Sequence, residues 1–509
     1  MSLGQRKLGA VLTYVNIFFN VFIMLGFTPF ILTNLGQSEF GLYSLSLSIL
    51  TYLAVLDFGF GNAIVVFGSK YIEKKDYKKQ ITLYGTILTA YLGVSIISIF
   101  LMLIFYNKAS VIFLGSMNYE EVSTLKNLIL ILSLNIAFSI PLNIYKSILT
   151  AYEEFVFIKL ASIVRAILVP LTIFIALILG SDVVILISII SLINLAYLIS
   201  HYFFFNKKVS VNFSIRFFDM RVMKSVFNYS SFILLAIIVD QINWNFGQFI
   251  LGAYSGVDSI AVYSIAIMFN SAFVMLSTAI SGVLLPKITK MISNGACYKI
   301  LTLEMIKIGR LQAFIILPVI FGFILFGKAF ISLWAGAVYK DAYYLTLIIM
   351  IPLSIPLLQN LGLTILQAKQ RFKFRALTAF YMSIITAVSS VALAEDYGYW
   401  GVSISIGTTL FILNGVIMNF YYRYLGVDVI KFWWDLIKVI TPMFIIFISI
   451  YSTGIASPLM NWGELLVYGF LFIVICCLCF YFFSMNKYEK ELIHKIITIF
   501  NPSKLQNRE

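Results

Sequence analysis

The chain is poor in charge. Lys, Arg, Asp and Glu make up 11% of its 509 residues, whereas an ordinary soluble protein is about a quarter charged. So few charges cannot clothe a water-facing surface of this size, which excludes a soluble globular protein. Histidine is nearly missing, with only His201 and His494. The four cysteines are Cys297, Cys476, Cys477 and Cys479. They show neither a disulfide framework nor zinc-ligand spacing, and with so few imidazoles a His/Cys metal centre is excluded. Long polar stretches are missing too. No loop exceeds roughly 25 residues, counted against membrane spans of about 20, so no room is left for a soluble domain.

Nucleotide motifs fail. Residues 322–328 read GFILFGK, the opening of a phosphate loop, but Ala329 stands where Ser or Thr would hold magnesium. The run is also apolar, with no strand before it. Gly59-Phe60-Gly61 is not a dinucleotide fingerprint. No nucleophile and base pair up, and no cofactor or metal is expected.

Apolar sequence fills the space these absences leave: 61% of residues are hydrophobic. Fourteen stretches are long enough to cross a bilayer, at residues 10–33, 41–66, 81–106, 125–147, 157–179, 183–205, 228–253, 259–285, 310–333, 342–366, 376–394, 400–422, 435–456 and 464–484. The first lacks a small-residue cleavage site and reads as a retained helix. The expected fold is therefore an all-α polytopic membrane protein with about fourteen transmembrane helices. Basic residues orient it. Lys108, Lys126, Lys328 and Lys340 fall on one side, Arg165 lies within a span, and the other 31 of the 36 fall on the opposite side. The positive-inside rule makes that side cytoplasmic, with both termini there. The net charge of +14 thus reports orientation and contact with anionic lipid, not nucleic acid. Residues 487–509 mix charge with Leu, Ile and Phe at helical spacing and read as an amphipathic helix lying on the membrane.

An internal repeat organises the spans. At an offset of 220, Gly36 meets Gly256, Tyr43 meets Tyr263, Ser44 meets Ser264 and Leu45 meets Ile265. Six helices separate the copies, so they share an orientation, as in parallel transporter repeats. The expected layout is an N-terminal lobe at 1–206, a cytoplasmic linker at 207–227 and a C-terminal lobe at 228–424. Helices thirteen and fourteen follow at 425–486, then the tail at 487–509. Two such lobes suit alternating access, rocking about a central cavity.

Ionisable groups within spans are costly and mark cavities or partners. Asp57 lies in helix two, Arg165 in helix five and Asp240 in helix seven. Arg165 offers a permanently charged fork suited to phosphate, or pairs with Asp57, or snorkels to the surface. Asp57 suits a proton or cation site, a partner for Arg165, or a cap for its Gly-rich turn. Asp240 sits opposite Asn20 across the repeat, a candidate interlobe polar pair. Lys146 and Arg310, at the inner ends of helices four and nine, suit a basic mouth or ordinary inside charge. Asn16, Gln241, Asn243, Asn245, Asn270, Gln359, Asn360 and Asn414 add neutral polar groups that suit sugar hydroxyls and interhelical bonds equally. Six prolines lie within spans, where kinks are common in mobile and immobile helices alike.

Residues 35–65, LGQSEFGLYSLSLSILTYLAVLDFGFGNAIV, resemble the amino-terminal signature of the Wzx-type polysaccharide flippases, members of the multidrug/oligosaccharidyl-lipid/polysaccharide exporter superfamily. Gly36, Glu39, Phe40, Gly41, Leu42, Tyr43, Asp57 and Gly59 carry the resemblance. Residues 250–266 resemble its second-lobe counterpart, with Ala261 where Gly is common. The resemblance implies a MATE-like two-lobed bundle of six and six helices plus two. It implies movement of an undecaprenyl-diphosphate-linked oligosaccharide from the cytoplasmic to the periplasmic leaflet of a bacterial inner membrane, for O-antigen or capsule (lipopolysaccharide or other surface polysaccharide) synthesis. The head group would then meet Arg165, Lys146 and Arg310, and the polyprenyl tail would meet the Phe- and Ile-rich helices at Trp434–Tyr451 and Val467–Phe483. A polysaccharide polymerase and a chain-length regulator would be its partners.

Two other readings compete. A cation-coupled multidrug exporter of the same fold needs about twelve helices, and the two additional spans count against it. A membrane polysaccharide polymerase would carry a large external loop with arginines, whereas the loop at 107–124 holds one Lys and no Arg.

Overall fold

The computed structural model describes residues 3–209, 211–281, 288, 290–292, 295, 297–369, 371–454 and 460–491. Among these residues every regular element is a helix. In chain order they are α1 (Leu3–Thr51), α2 (Phe60–Glu73), α3 (Tyr77–Phe113), α4 (Tyr119–Ala151), α5 (Phe155–Ile178), α6 (Val183–Lys208), α7 (Met220–Trp244) and α8 (Phe246–Tyr254). Then come α9 (Val257–Ser281), α10 (Tyr298–Trp334), α11 (Ala342–Leu358), α12 (Asn360–Ala368), α13 (Phe372–Leu410), α14 (Met418–Tyr424), α15 (Val429–Ser452) and α16 (Trp462–Cys479). Many start where the sequence supplies a short polar cap. Asp76, Asp182 and Asp428 each accept from a backbone N–H of the first turn, and Asn118 with Glu121 and Asn461 with Glu464 form reciprocal capping boxes. Residues 322–328 are continuous helix within α10, so the apparent phosphate loop does not exist.

By length and apolarity, nine helices among the described residues can cross a membrane, or eleven if each bent pair is one span. The count differs from the expected fourteen for local reasons. Expected spans eleven and twelve fall within one helical stretch, Phe372–Tyr424, broken in α13 at Gly398 with φ 52°. Expected span one lies in α1, and expected span two begins in α1 beyond its turn at Gly36 (φ 75°) but continues past Thr51 through the turn Leu53–Leu56 into α2. The second copy of the repeat has the same device, Gly256 with φ 80° between α8 and α9. Only glycine enters this left-handed region without a steric cost, so the sequence match at these positions has a conformational cause.

By packing, the chain forms two units. One comprises Met1–Ile265 with Ala379–Ser405, the other Ala266–Thr378 with Ile406–Glu509. The core of the first unit gathers Phe60, Ile64, Leu83, Tyr84, Ile87, Tyr91, Ile144 and Ile148. In the second, α10 packs against α15 and α16. A Cβ at Gly309 would stand 2.7 Å from the Phe432 ring, so glycine there lets two helices approach closely. In lipid, apolar side chains gain little by leaving one apolar surface for another, so such close packing carries more of the stability than in water.

Three acids of the first unit, Glu39, Glu120 and Asp182, lie near one another. Ser38 donates to Glu121 at 2.8 Å, and Glu39 lies near Asp182 and Glu120. Burial, then Asp182, then Glu120 raise the Glu39 carboxyl above the usual range, partly opposed by the Val183 N–H. Since the raised group holds its proton more tightly when folded, its contribution is greatest below its ordinary value and is lost as pH rises through the folded one. Glu39→Gln is therefore expected to melt higher than wild type at pH 7 and alike near pH 4. Equal gaps at both pH values in a detergent melt would overturn this account.

Candidate functional site

The first unit holds a polar cavity of about 300 Å³, at the small end of the range for ligand sites. It is built around a broken helix. After the single turn Leu53–Leu56 the chain passes through Asp57, Phe58 and Gly59, the last two with φ 51° and 73°, before α2 begins. This break leaves the first N–H groups of α2 without intrahelical acceptors. Asp57 answers them: its carboxylate accepts from Gly61 N–H at 3.3 Å, from Asn143 Nδ2 at 3.4 Å and from the Tyr91 hydroxyl. Of the tasks expected for Asp57, the geometry thus supplies the cap of its turn.

Arg165, on α5, has no ion pair among the described residues. The expected bridge to Asp57 does not form. Its guanidinium instead lies 5.3 Å from the centre of the Tyr197 ring, and Lys146 Nζ lies 5.8 Å from the same ring. Tyr197, on α6, is buried and its hydroxyl shares a 3.2 Å hydrogen bond with Ser162. The ring is therefore fixed and its face is turned to both cations, an attraction worth roughly 0.5–2 kcal/mol each. Two cations and one carboxylate line the cavity together, and three donors already engage the carboxylate. What remains is a pocket in which two cations face one carboxylate, a net single positive charge that suits an anion.

The neutral wall of the cavity is a single network. Asn194 Nδ2 donates to Asn135 Oδ1 at 3.1 Å and to Ser139 Oγ at 3.0 Å, Ser139 donates to Asn135 Oδ1 at 3.1 Å, and Asn135 Nδ2 donates to the Ser191 carbonyl at 3.0 Å. Beside it, His201 is fully buried, donates from Nδ1 to the Tyr197 carbonyl at 2.7 Å, and has no partner at Nε2 among the described residues. Asn143, Asn194, Ser139 and Tyr197 are not among the sequence candidates. A signal existed for part of them: Asn135, Ser139, Asn143 and Lys146 recur at helical spacing on α4.

The remaining candidates lie elsewhere. Arg310, on α10 of the second unit, is buried and engaged by the protein itself. Its Nε and Nη2 bind Glu489 at 2.7 and 2.9 Å, Nη2 also meets the Ser484 carbonyl at 2.6 Å, and Nη1 meets the Asp435 carbonyl at 3.2 Å. Four of its five donors are used within the protein, and little of the fork is left for a ligand. The tail expected from residue 487 begins as a helix capped by Asn486 and Glu489; residues 492–509 lie outside the described ones. Asp240 is exposed on α7, and the side chain of Asn20 lies outside the described residues, so their expected pairing does too.

The second unit carries an apolar groove of about 790 Å³ between α10 and α16, walled by Phe314, Phe326, Trp462, Leu466 and Phe470 among others. Of the two helices expected to meet a lipid tail, α16 lines it and α15 does not.

The profile of the family described as polysaccharide biosynthesis protein matches residues 7–292. No curated protein sequence matches the chain. Among solved structures, the lipid II flippase MurJ in its inward closed conformation is 18% identical with a TM-score of 0.68, covering 93% of this chain and 99% of its own. An inward-facing multidrug resistance MATE family transporter of the MOP superfamily is 16% identical with a TM-score of 0.58, covering 82% and 94%. A mutant of the Vibrio cholerae MATE transporter VcmN is 14% identical with a TM-score of 0.51, covering 84% and 99%. At these identities the likeness establishes the fold, an all-helical MATE-like one.

Proposed function

The chain belongs to the polysaccharide biosynthesis protein family, and from that premise we propose that it is a flippase for an undecaprenyl-diphosphate-linked oligosaccharide. It carries this lipid from the cytoplasmic to the periplasmic leaflet by alternating access, supplying O-antigen or capsule synthesis. The observation that carries the reading is the pair Arg165 and Lys146, held on one tyrosine ring in a membrane-embedded cavity and free of ion pairs among the described residues. An unpaired cation within the bilayer costs roughly 2.5–3.5 kcal/mol on insertion scales, so two of them together fit a site completed by an anionic ligand.

In this scheme the diphosphate enters from the basic cytoplasmic side and takes charge-assisted hydrogen bonds from Arg165 and Lys146. The amide and hydroxyl wall of Asn143, Asn194 and Ser139 suits the adjoining sugar. The polyprenyl chain stays in lipid, with the groove beside α16 as its track. The lobes 1–206 and 228–424 do the rocking, with 425–486 beside them, and the acidic outer loops repel the released diphosphate. Fourteen spans with both termini cytoplasmic, an inner-membrane location, and a polymerase and chain-length regulator as partners belong to the same proposal. Asp57, Asp240 and Asn20 are its candidates for ion coupling or interlobe contact.

Deleting the gene tests the reading. Surface glycan is expected to be lost, with its lipid-linked precursor accumulating in the cytoplasmic leaflet. A normal glycan and precursor distribution sinks the proposal, and altered drug accumulation in the same strain would favour the multidrug reading instead.

A further inference from the structure

A second lipid-facing feature lies in the second unit, separate from the apolar groove and the cation pair. Residues Phe411–Ile417 form a π-helix, which α14 continues. Such bulges in α-helices frequently mark functional positions, because they displace side chains and free carbonyls. Here Asn419 collects the consequences. Its Nδ2 donates to the carbonyls of Asn414 and Gly415 at 3.0 and 2.8 Å, while its Oδ1 accepts from Gln359 Nε2 at 2.7 Å and Trp433 Nε1 at 3.0 Å. The widened turn therefore fixes the Trp433 indole on α15. Between α14 and α15 a cleft of about 450 Å³ remains.

The cleft is graded from charged to apolar. Arg423 stands at one end, exposed and in no ion pair among the described residues. Trp434, 62% exposed, lies on the facing helix. Phe420, Ile430 and Ile437 continue the wall, all exposed. From Arg423 to Gly415 is eight residues, or about 12 Å along a helix axis. The neighbouring acids are already engaged: Asp428 accepts from the Lys431 N–H as the cap of α15, and Asp435 pairs with Lys438 at 2.7 Å. A cation and an indole at one end with a deep apolar wall behind them match the profile of a phospholipid at the interface: phosphate, glycerol level, then acyl chain. A solvated charged face would lack that wall, and an ordinary lipid-facing helix pair would lack the fixed tryptophan and the open arginine.

We propose that the cleft between α14 and α15 binds one anionic phospholipid of the leaflet on the basic side, its phosphodiester at Arg423 and one acyl chain along Phe420, Ile430 and Ile437. Lys431, exposed and likewise in no ion pair among the described residues, adds to the attraction for the head group. The occupant is a resident membrane lipid rather than the transported one, so the site stands whether or not the flippase reading does.

The test uses the full chain in vesicles of phosphatidylcholine doped with either brominated phosphatidylglycerol or brominated phosphatidylcholine, whose bromines quench nearby indoles. The Trp434 signal is the difference between wild type and Trp434→Phe. Quenching by the anionic lipid is expected at about fivefold lower mole fraction, the worth of one basic residue at an anionic surface. Arg423→Gln should bring the two curves closer, leaving only the smaller preference due to Lys431, Arg423→Lys should keep them apart, and Lys207→Gln, in an inside charge cluster of the other unit, should change nothing. Millimolar inorganic phosphate should not shift the curves, since it lacks the acyl chain. Coincident curves for the wild type, an unchanged preference in Arg423→Gln, an equal loss in Lys207→Gln, or displacement by phosphate alone would each overturn the proposal. A melt of Arg423→Gln against wild type keeps misfolding apart from lost binding.

Discussion

Arg165→Ala is expected to abolish surface glycan export while the protein reaches the membrane and melts no lower than wild type. The two halves of this expectation share one origin. Arg165 makes no ion pair among the described residues, and its visible partner is the Tyr197 ring at 5.3 Å. Removing it forfeits one cation–π contact, worth about 2 kcal/mol. It also relieves the burial of a permanent charge, which costs about 2.5–3.5 kcal/mol in mid-membrane. Stability therefore stays level or rises. Binding moves the other way. A charge-assisted hydrogen bond is worth about 1.5–3 kcal/mol, and a planar fork makes two to a phosphate, so the loss reaches two to four orders of magnitude in affinity. Arg165→Lys keeps the charge and loses the fork, so partial export is expected. Tyr197→Phe keeps the ring face and removes only the Ser162 bond, and should stay close to wild type. Surface glycan measured beside the melting temperature decides the matter. Full export in Arg165→Ala removes the residue from the site, and loss of export with a collapsed melt would make its role structural.

How far the sequence foretold this site depends on the kind of signal. Charge scarcity and apolar run length gave the class directly, because lipid tolerates few other compositions. The repeat at Gly36 and Gly256 was legible because one backbone conformation demands one residue type. Asp57 and Arg165 stood out because charge within a span is rare, Lys146 stood out as a basic residue at the inner end of a helix, and the structure brings all three to one cavity. Two things were not legible. Asn194 and Tyr197 are ordinary residues in apolar helices, and only packing shows that one anchors the polar wall and the other faces two cations. Arg310 carried the same signal as Lys146, a basic residue at the inner end of a helix. Its partner Glu489 lies 179 residues away, at the start of a tail that sequence periodicity places on the membrane surface. Pairing across such separations leaves no trace in local spacing.

That partner leads to the second large effect. Glu489→Ala is expected to release the start of the tail from α10. The Arg310 and Glu489 side chains are 8% and 1% exposed, and removing one member of a buried pair typically costs about 3–5 kcal/mol. The loss falls locally first. Glu489 also closes the capping box, since Asn486 N–H donates to its Oε2 at 2.8 Å, so the substitution removes a helix cap together with an ion pair. About 3 kcal/mol corresponds to more than a hundredfold in an opening equilibrium, which amide exchange over residues 486–491 would register directly. The two single variants should differ. Glu489→Ala leaves a guanidinium that cannot shed its charge, held only by the Ser484 and Asp435 carbonyls. Arg310→Met leaves a carboxylate, a group that can be neutralised by taking up a proton, so its penalty should be smaller and should shrink as pH falls. Glu489→Gln keeps the cap and loses the charge, and should lie between wild type and Glu489→Ala. Combining Arg310→Met with Glu489→Leu removes both charges, and should recover much of the stability lost by either alone. If Glu489→Ala exchanges its tail amides no faster than wild type, the clasp contributes nothing, and the tail is held by other contacts such as Lys307 over the Tyr488 ring at 3.7 Å.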